Sequence, residues 1–388
     1  MTSGQPPAVR MRFQLAAFTL TRTVFNTSYR MIYPFLPVFA RGLGVDLSTI
    51  ALAVAARSSI GLASPFLGSI ADHRGRKRTM LAALGLFVVG MTLVAYRPVF
   101  SVLVVGLVLG TIAKVLFDPA MQAYLGDRVQ YSRRGLVIAV TEFGWSGAFL
   151  VGVPLAGWVI QSKDWTAPFP WLAAFGLGVG GLLWVVLPSD EPARGGSSAW
   201  LSGLRSVLGN RSALAGLIFG ILVSLANEVV NIVFGVWLEG AFGLQVVALG
   251  AASAVIGLAE LSGEGLVAGL SDRLGKRRAV AWGVGLNALA CLALPFADRS
   301  LATALAGLFV FYITFEFTLV STIPLMTELA PEARGMLMGG NVGGQSAGRA
   351  IGAFLGPALF SGGLIANSTV AAGLDLLALG LLVRFVRE

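Results

Sequence analysis

The stretch Gly68-Ser69-Ile70-Ala71-Asp72-His73-Arg74-Gly75-Arg76-Lys77-Arg78 is a tight basic turn between two long apolar segments, and the chain writes it again two hundred residues later as Ala268-Gly269-Leu270-Ser271-Asp272-Arg273-Leu274-Gly275-Lys276-Arg277-Arg278. Each copy carries one acid, a glycine three residues on, and then three consecutive cations. The same offset relates Gly85-Leu86 to Gly285-Leu286, Arg134-Gly135 to Arg334-Gly335, Gly144 to Gly344 and Gly152 to Gly352. Identities at one offset in separate places predict a duplicated membrane module, with two halves of like orientation packed about an axis along the membrane normal.

Composition agrees with a membrane protein. Of 388 residues, 56% are hydrophobic and 12% are charged, about half the charged share of an ordinary soluble chain. Roughly 20 apolar residues cross a bilayer. By that ruler the chain is an all-α membrane protein with twelve spans, at 13–40, 47–71, 77–96, 99–122, 135–160, 169–187, 212–239, 246–271, 278–296, 300–326, 334–360 and 367–385. The longest polar connection contains Ser189-Asp190-Glu191-Pro192 and Gly195-Gly196-Ser197-Ser198, a flexible linker composition. It divides the chain into a six-helix bundle over 1–187, a cytoplasmic linker over 188–211 and a second six-helix bundle over 212–388.

The net charge of +9 could suggest nucleic acid, but such a binder gathers its cations on a soluble face. Here they sit in short loops, so no nucleic-acid partner is expected. Loops on the side of the termini hold most of the Lys and Arg, while the other side holds only Arg41, Arg97, Lys163 and Arg299. Short basic loops stay cytoplasmic, which predicts an integral protein of the cell (plasma or inner) membrane with both termini cytoplasmic. Met1 to Arg12 is too polar for a signal-peptide core, and the apolar stretch after it runs too long. Cys291 is the only cysteine and His73 the only histidine, so neither a disulfide framework nor a Cys- or His-based metal site is expected.

The pattern G-x-x-x-D-(R)-x-G-R-(K/R)-(K/R) formed by Gly68, Asp72, Gly75, Arg76, Lys77 and Arg78 resembles the signature loop of the major facilitator superfamily of secondary transporters. The second copy keeps Asp272 and Gly275, with Ala268 in place of the leading glycine. The resemblance covers essentially the whole chain and implies a fold of twelve transmembrane helices in two pseudo-symmetric bundles. It also implies a cytoplasmic latch, in which the loop aspartate engages the start of the eleventh span; Gly68, Asp72, Gly75, Arg76, Asp272, Gly275 and Arg334 would form it here, since helix N-termini attract anions. Gly352, Gly356 and Pro357 resemble the G-x-x-x-G-P motif of the superfamily's antiporters, which there belongs to the fifth span, where this chain has Gly152-Val153-Pro154-Leu155-Ala156-Gly157. Tyr33-Pro34-Phe35-Leu36-Pro37 and Pro119 look like the drug and proton antiporter branch.

Charges inside spans are the functional candidates, because each costs about 2.5 to 3.5 kcal/mol near the bilayer centre unless it meets a partner or a wet cavity. Lys114 and Asp118 share a helix face and Glu142 enters at similar depth, which predicts a structural charge cluster. Arg22 is a further charge of the first span. The first and seventh spans line the cavity in the family, and both carry polar runs here. Asn26, Tyr29, Arg30 and Tyr33 with Arg57, Asn227, Asn231 and Arg349 are the candidate substrate-binding set. Arg30 or Arg349 could pair with Glu228 across the interface. Proton coupling needs a carboxylate whose pKa responds to burial and to an approaching cation; with no usable histidine the candidates are Glu228 first, then Glu260, Glu316 and Glu264. Glycines inside spans, such as Gly144, Gly147, Gly339, Gly340, Gly343 and Gly348, permit close helix packing.

These readings converge on a proton-coupled exporter of small amphipathic compounds that works by alternating access, as a monomer in contact with membrane lipids and without a cofactor. A lipid or lysolipid transporter, an organic anion symporter using Arg30 and Arg57, and a non-transporting sensor are the alternatives. No H-E-x-x-H, G-x-S-x-G or phosphate-binding glycine loop is present, so no enzyme is expected.

Overall fold

The computed structural model describes residues 7–64, 75–188 and 200–386. It is all-α, with no strand among the described residues. In chain order the helices are α1 (Pro7–Arg30), α2 (Leu36–Leu43), α3 (Leu47–Ser59), α4 (Arg76–Tyr96), α5 (Phe100–Arg128), α6 (Tyr131–Gly147), α7 (Val153–Ser162) and α8 (Pro168–Val186). They continue as α9 (Trp200–Gly209), α10 (Arg211–Asn231), α11 (Phe234–Phe242), α12 (Val246–Leu274), α13 (Lys276–Ala293), α14 (Leu301–Leu329), α15 (Arg334–Phe360) and α16 (Leu364–Phe385).

Nine helical segments among the described residues are long and apolar enough to cross a bilayer: Arg76–Tyr96, Phe100–Arg128, Val140–Ser162, Pro168–Val186, Arg211–Phe242, Val246–Ser271, Lys276–Ala297, Leu301–Leu329 and Leu364–Phe385. The expected first, second and eleventh spans are also helical, over α1 with α2, over α3 and over α15. The first and eleventh are less apolar for a visible reason, with Arg22 and Arg30 in α1 and Asn341, Gln345 and Arg349 in α15, whereas α3 has only 13 residues and is apolar enough to cross when joined to α2. The arrangement is consistent with twelve crossings.

Local chemistry sets the breaks. Pro37 lies in the first turn of α2, where its missing N–H costs nothing. Gly44 ends α2 at φ +66°, returning its N–H to the Ala40 and Arg41 carbonyls. Asp46 then caps α3 by accepting from the Thr49 N–H at 2.9 Å, and the chain bends by 113° between Leu36–Leu43 and Leu47–Ala63. Arg41 forks onto Glu239 at 2.8 and 2.7 Å, tying α2 to α11. A π-turn, Ala148–Gly152, separates α6 from α7 just ahead of Pro154. A proline in a helix clashes with the carbonyl four residues back, and the extra residue of a π-turn relieves that clash.

The chain forms two compact units, Met1–Ile32 with Phe66–Gly195 and Tyr33–Pro65 with Gly196–Glu388. In the first, α1 packs on α5, α6 and α8, and α4 packs on α5 and α8. In the second, α10 packs on α15 and α16, α14 packs on α12 and α13, and α3 packs on α15.

Glycine spacing explains the closest of these contacts. Gly344, Gly348, Gly352 and Gly356 recur every fourth residue, and a Cβ at any of them would lie 2.2 to 3.2 Å from α10 or from Ile232 just after it. The other face of α15 meets the turn after α3, where a Cβ on Gly61 would strike the Ser346 hydroxyl. Small residues let lipid-embedded backbones approach, where no hydrophobic force between helices does the work.

The duplicated turns adopt one backbone. Gly75 (φ 85°, ψ 143°) and Gly275 (φ 81°, ψ 142°) precede α4 and α13 in the same conformation, which favours glycine. Their cations are used alike, each within its own unit. Arg76 pairs with Asp127 of α5, and Lys276 with Glu328 of α14. Lys77 reaches the Trp184 carbonyl of α8 at 2.8 Å, and Arg277 the Val383 carbonyl of α16 at 2.6 Å. Cations at the negative ends of helices gain from the dipole.

Candidate functional site

In the second unit the site is built around Glu228, in the last turn of α10 and 1% exposed. The Tyr33 hydroxyl donates to its Oε1 at 3.0 Å and the Asn231 amide donates to its Oε2 at 3.3 Å. Tyr312 of α14 in turn donates to Asn231 Oδ1. Arg57, fully buried in α3, stacks its guanidinium 5.1 Å from the centre of the Tyr33 ring. Arg57 and Arg349 both lie within electrostatic range of Glu228. Gly352 of α15 leaves room for the Glu228 side chain, whose Cβ a new methyl would approach to 2.6 Å. The carboxylate thus accepts hydrogen bonds from Tyr33 and Asn231 and feels the charge of two arginines, an electrostatic environment that a proton or a charged ligand would alter. Asn227, one residue before Glu228, is buried as well.

The remaining candidate acids of this unit lie on a neighbouring pair of helices. Glu260 of α12 and Glu316 of α14 are buried, and Glu264 is partly exposed. A Cβ on Gly263 would stand 2.9 Å from that of Glu316, so α12 rests directly on the carboxylate-bearing face of α14.

In the first unit the expected charge cluster comes together with one member that depth alone did not assign to it. Arg22 of α1 pairs with Glu142 at 2.7 Å and with Asp118 at 3.4 Å, and Lys114 pairs with Asp118 at 2.6 Å. Two cations and two carboxylates close the set at zero net charge. The close approach that permits it comes from Gly144, where a Cβ would lie 2.7 Å from that of Arg22. One turn further along α1, the Asn26 amide donates to the Gly144 carbonyl at 3.0 Å.

Arg30, also in the first unit, is held by aromatics. Its guanidinium lies 4.1 Å from the Trp145 ring centre and 3.7 Å from that of Phe149, and it donates to the Trp145 carbonyl at 3.2 Å. Tyr29 sits against Trp145, with centroids 6.3 Å apart. Phe149 lies on the π-turn, so the irregularity before Pro154 sets part of the cation's cradle.

Of the residues expected in the latch, Gly68 and Asp72 lie outside the described residues, as does the Asp272 side chain. Gly75 and Gly275 hold their turns, Arg76 engages α5, and Arg334 Nε donates to the Thr327 carbonyl at 3.0 Å. Asp375 of α16 is a buried carboxylate that the span count passed over; its Oδ2 lies 3.9 Å from Cys291 Sγ. A lone acid in a span otherwise rich in Leu and Ala was the available signal. Among the described residues no three His, Cys, Asp or Glu side chains converge as metal ligands.

Comparison with known proteins places this geometry. The family model of the Major Facilitator Superfamily matches residues 18–259 and 216–388. The chain is 26% identical to the uncharacterized MFS-type transporter YwfA of Bacillus subtilis, over 84% of this chain and 80% of that one. It is 24% identical to the inner membrane transport protein YdhP of Escherichia coli, over 97% and 96%. A D-xylose-proton symporter crystal structure superposes with a TM-score of 0.80 at 16% identity, covering 97% of this chain and 98% of that one. The duplicated turns, the glycine-lined helix pair and the buried charges are therefore those of a membrane transporter rather than an enzyme, and the chain belongs to the Major Facilitator Superfamily.

Proposed function

We propose that this transporter exports small amphipathic compounds in exchange for protons, by alternating access, as a monomer in the cell or inner membrane with both termini cytoplasmic. The observation that carries the reading is Glu228, buried among Tyr33, Asn231, Arg57 and Arg349. Protonation removes its charge and frees the two arginines to rearrange, which is the step a proton antiporter needs between its two states. Glu260, Glu316 and Glu264 are the next candidates for the same task. Asn26, Tyr29, Arg30, Tyr33, Arg57, Asn227, Asn231 and Arg349 are assigned to the substrate. Asp72, Asp272 and Arg334 are assigned to the cytoplasmic latch.

A relative supports the drug-type substrate. The multidrug resistance protein MdtG of Serratia proteamaculans is 28% identical over 38% of this chain and 37% of its own. An aromatic-lined cation of the Arg30 kind also suits amphipathic molecules, which need apolar area and one polar handle.

Everted membrane vesicles with an imposed pH gradient test the proposal. Amphipathic drugs should dissipate the gradient, as read by a pH-sensitive dye, only when the transporter is present. No drug response, with lipid flipping in liposomes instead, would replace this reading with the lipid-transporter one.

A further inference from the structure

We infer that the groove between α13 and α16 binds one anionic phospholipid, with Arg278 on its phosphate and the apolar wall along one acyl chain. The groove encloses roughly 460 Å³ and is lined by Arg278, Trp282, Gly285, Leu286, Leu289 and Leu379. The α13 residues recur at helical spacing, so they form one stripe on the face of that helix. Trp282 and Leu289 are each 62% exposed, which places the stripe on the outside of the unit.

Depth favours a lipid over a soluble ligand. From Arg278 to Leu289 the stripe rises about 16 Å at ~1.5 Å per residue, close to half of a ~30 Å hydrocarbon core and so to the depth of one leaflet. Its polar end stands in the first turn of α13, where headgroups lie, and Trp282 follows one turn deeper, as aromatics do at a membrane interface. Gly285 has no side chain and leaves the floor of the groove open.

Charge favours an anionic headgroup. Within the triplet that opens α13, Lys276 is held by Glu328 and Arg277 by the Val383 carbonyl. Arg278 is exposed and makes no hydrogen bond or ion pair among the described residues. A guanidinium's planar fork matches phosphate oxygens two at a time. The same register of the first unit carries Arg78, Ala82, Gly85 and Leu86, without the tryptophan.

Native mass spectrometry of the purified, delipidated full chain, titrated with phosphatidylglycerol, phosphatidylcholine or glycerol 3-phosphate, tests the assignment. Phosphatidylglycerol should be retained preferentially, and one cation at a lipid headgroup predicts about fivefold weaker retention in Arg278→Gln, with Arg278→Lys in between, because an ammonium keeps the charge but not the planar fork. Gly285→Leu should also lose the lipid while keeping the cation; its new Cβ would be 3.9 Å from Leu379, an ordinary contact, so the fold should tolerate it. Equal retention by wild type and Arg278→Gln, equal retention of both lipids, or competition by glycerol 3-phosphate at the same concentration would each overturn the inference.

Discussion

Replacing Gly348 by alanine is the most discriminating perturbation of the α10–α15 contact. The new Cβ would stand 2.3 Å from the Ile221 carbonyl oxygen and 2.9 Å from the Leu225 nitrogen, both backbone atoms that cannot rotate aside. Restoring ordinary contact means moving α15 outward by about 1 Å, and overpacking of this kind costs up to about 3 kcal/mol. Alanine gains about 1 kcal/mol of helix propensity over glycine, which leaves a net loss of about 2 kcal/mol. Gly340 is the control on the same helix. Its nearest neighbour is a Leu217 methyl at 3.4 Å, so Gly340→Ala should keep most of the ~1 kcal/mol gain. The two variants should therefore differ by about 3 kcal/mol, more than a hundredfold in the unfolding equilibrium. Reversible unfolding of the purified protein in detergent reads the difference. Gly348→Ala as stable as Gly340→Ala would refute the packing argument, and with it the reason Glu228 lies where it does.

Two further outcomes follow from the charges. Arg22→Met leaves Asp118 and Glu142 facing Lys114 alone, and stripping one partner from a buried ion set costs about 3 kcal/mol; thermal unfolding should show the loss, and adding Glu142→Gln should recover part of it. Hydrogen bonds from the Thr49 hydroxyl and N–H hold the Asp46 carboxyl below its ordinary range. Its cap on α3 is therefore complete above the unfolded value of about 4 and fades as pH falls through the lower folded value; Asp46→Asn should remove that acid-side dependence from the unfolding curve.

Much of the architecture could be read before any coordinates. Gly75 and Gly275 announced their turns because only glycine adopts that backbone cheaply, and the cation triplets after them fixed the offset of the repeat. Lys114 and Asp118 declared their shared face by spacing alone. Arg22 did not declare its partners, because residues on separate helices meet through packing that Gly144 makes possible. The aromatic cradle of Arg30 was hidden for a related reason: Phe149 reaches it from a π-turn, which shifts the register that regular helical counting assumes. Tyr312 was invisible as a member of the Glu228 network, since its role depends on α14 lying beside α10. Asp375 escaped because a single acid barely lowers the apolarity of its span.

The central claim is that Glu228 exchanges the proton that drives transport. In proteoliposomes containing Glu228→Gln, exchange of labelled drug for unlabelled drug across the membrane should persist, because the neutral amide mimics the protonated acid, while accumulation driven by an imposed pH gradient should vanish. Accumulation in Glu228→Gln at the wild-type rate, with the gradient still required, would contradict the account.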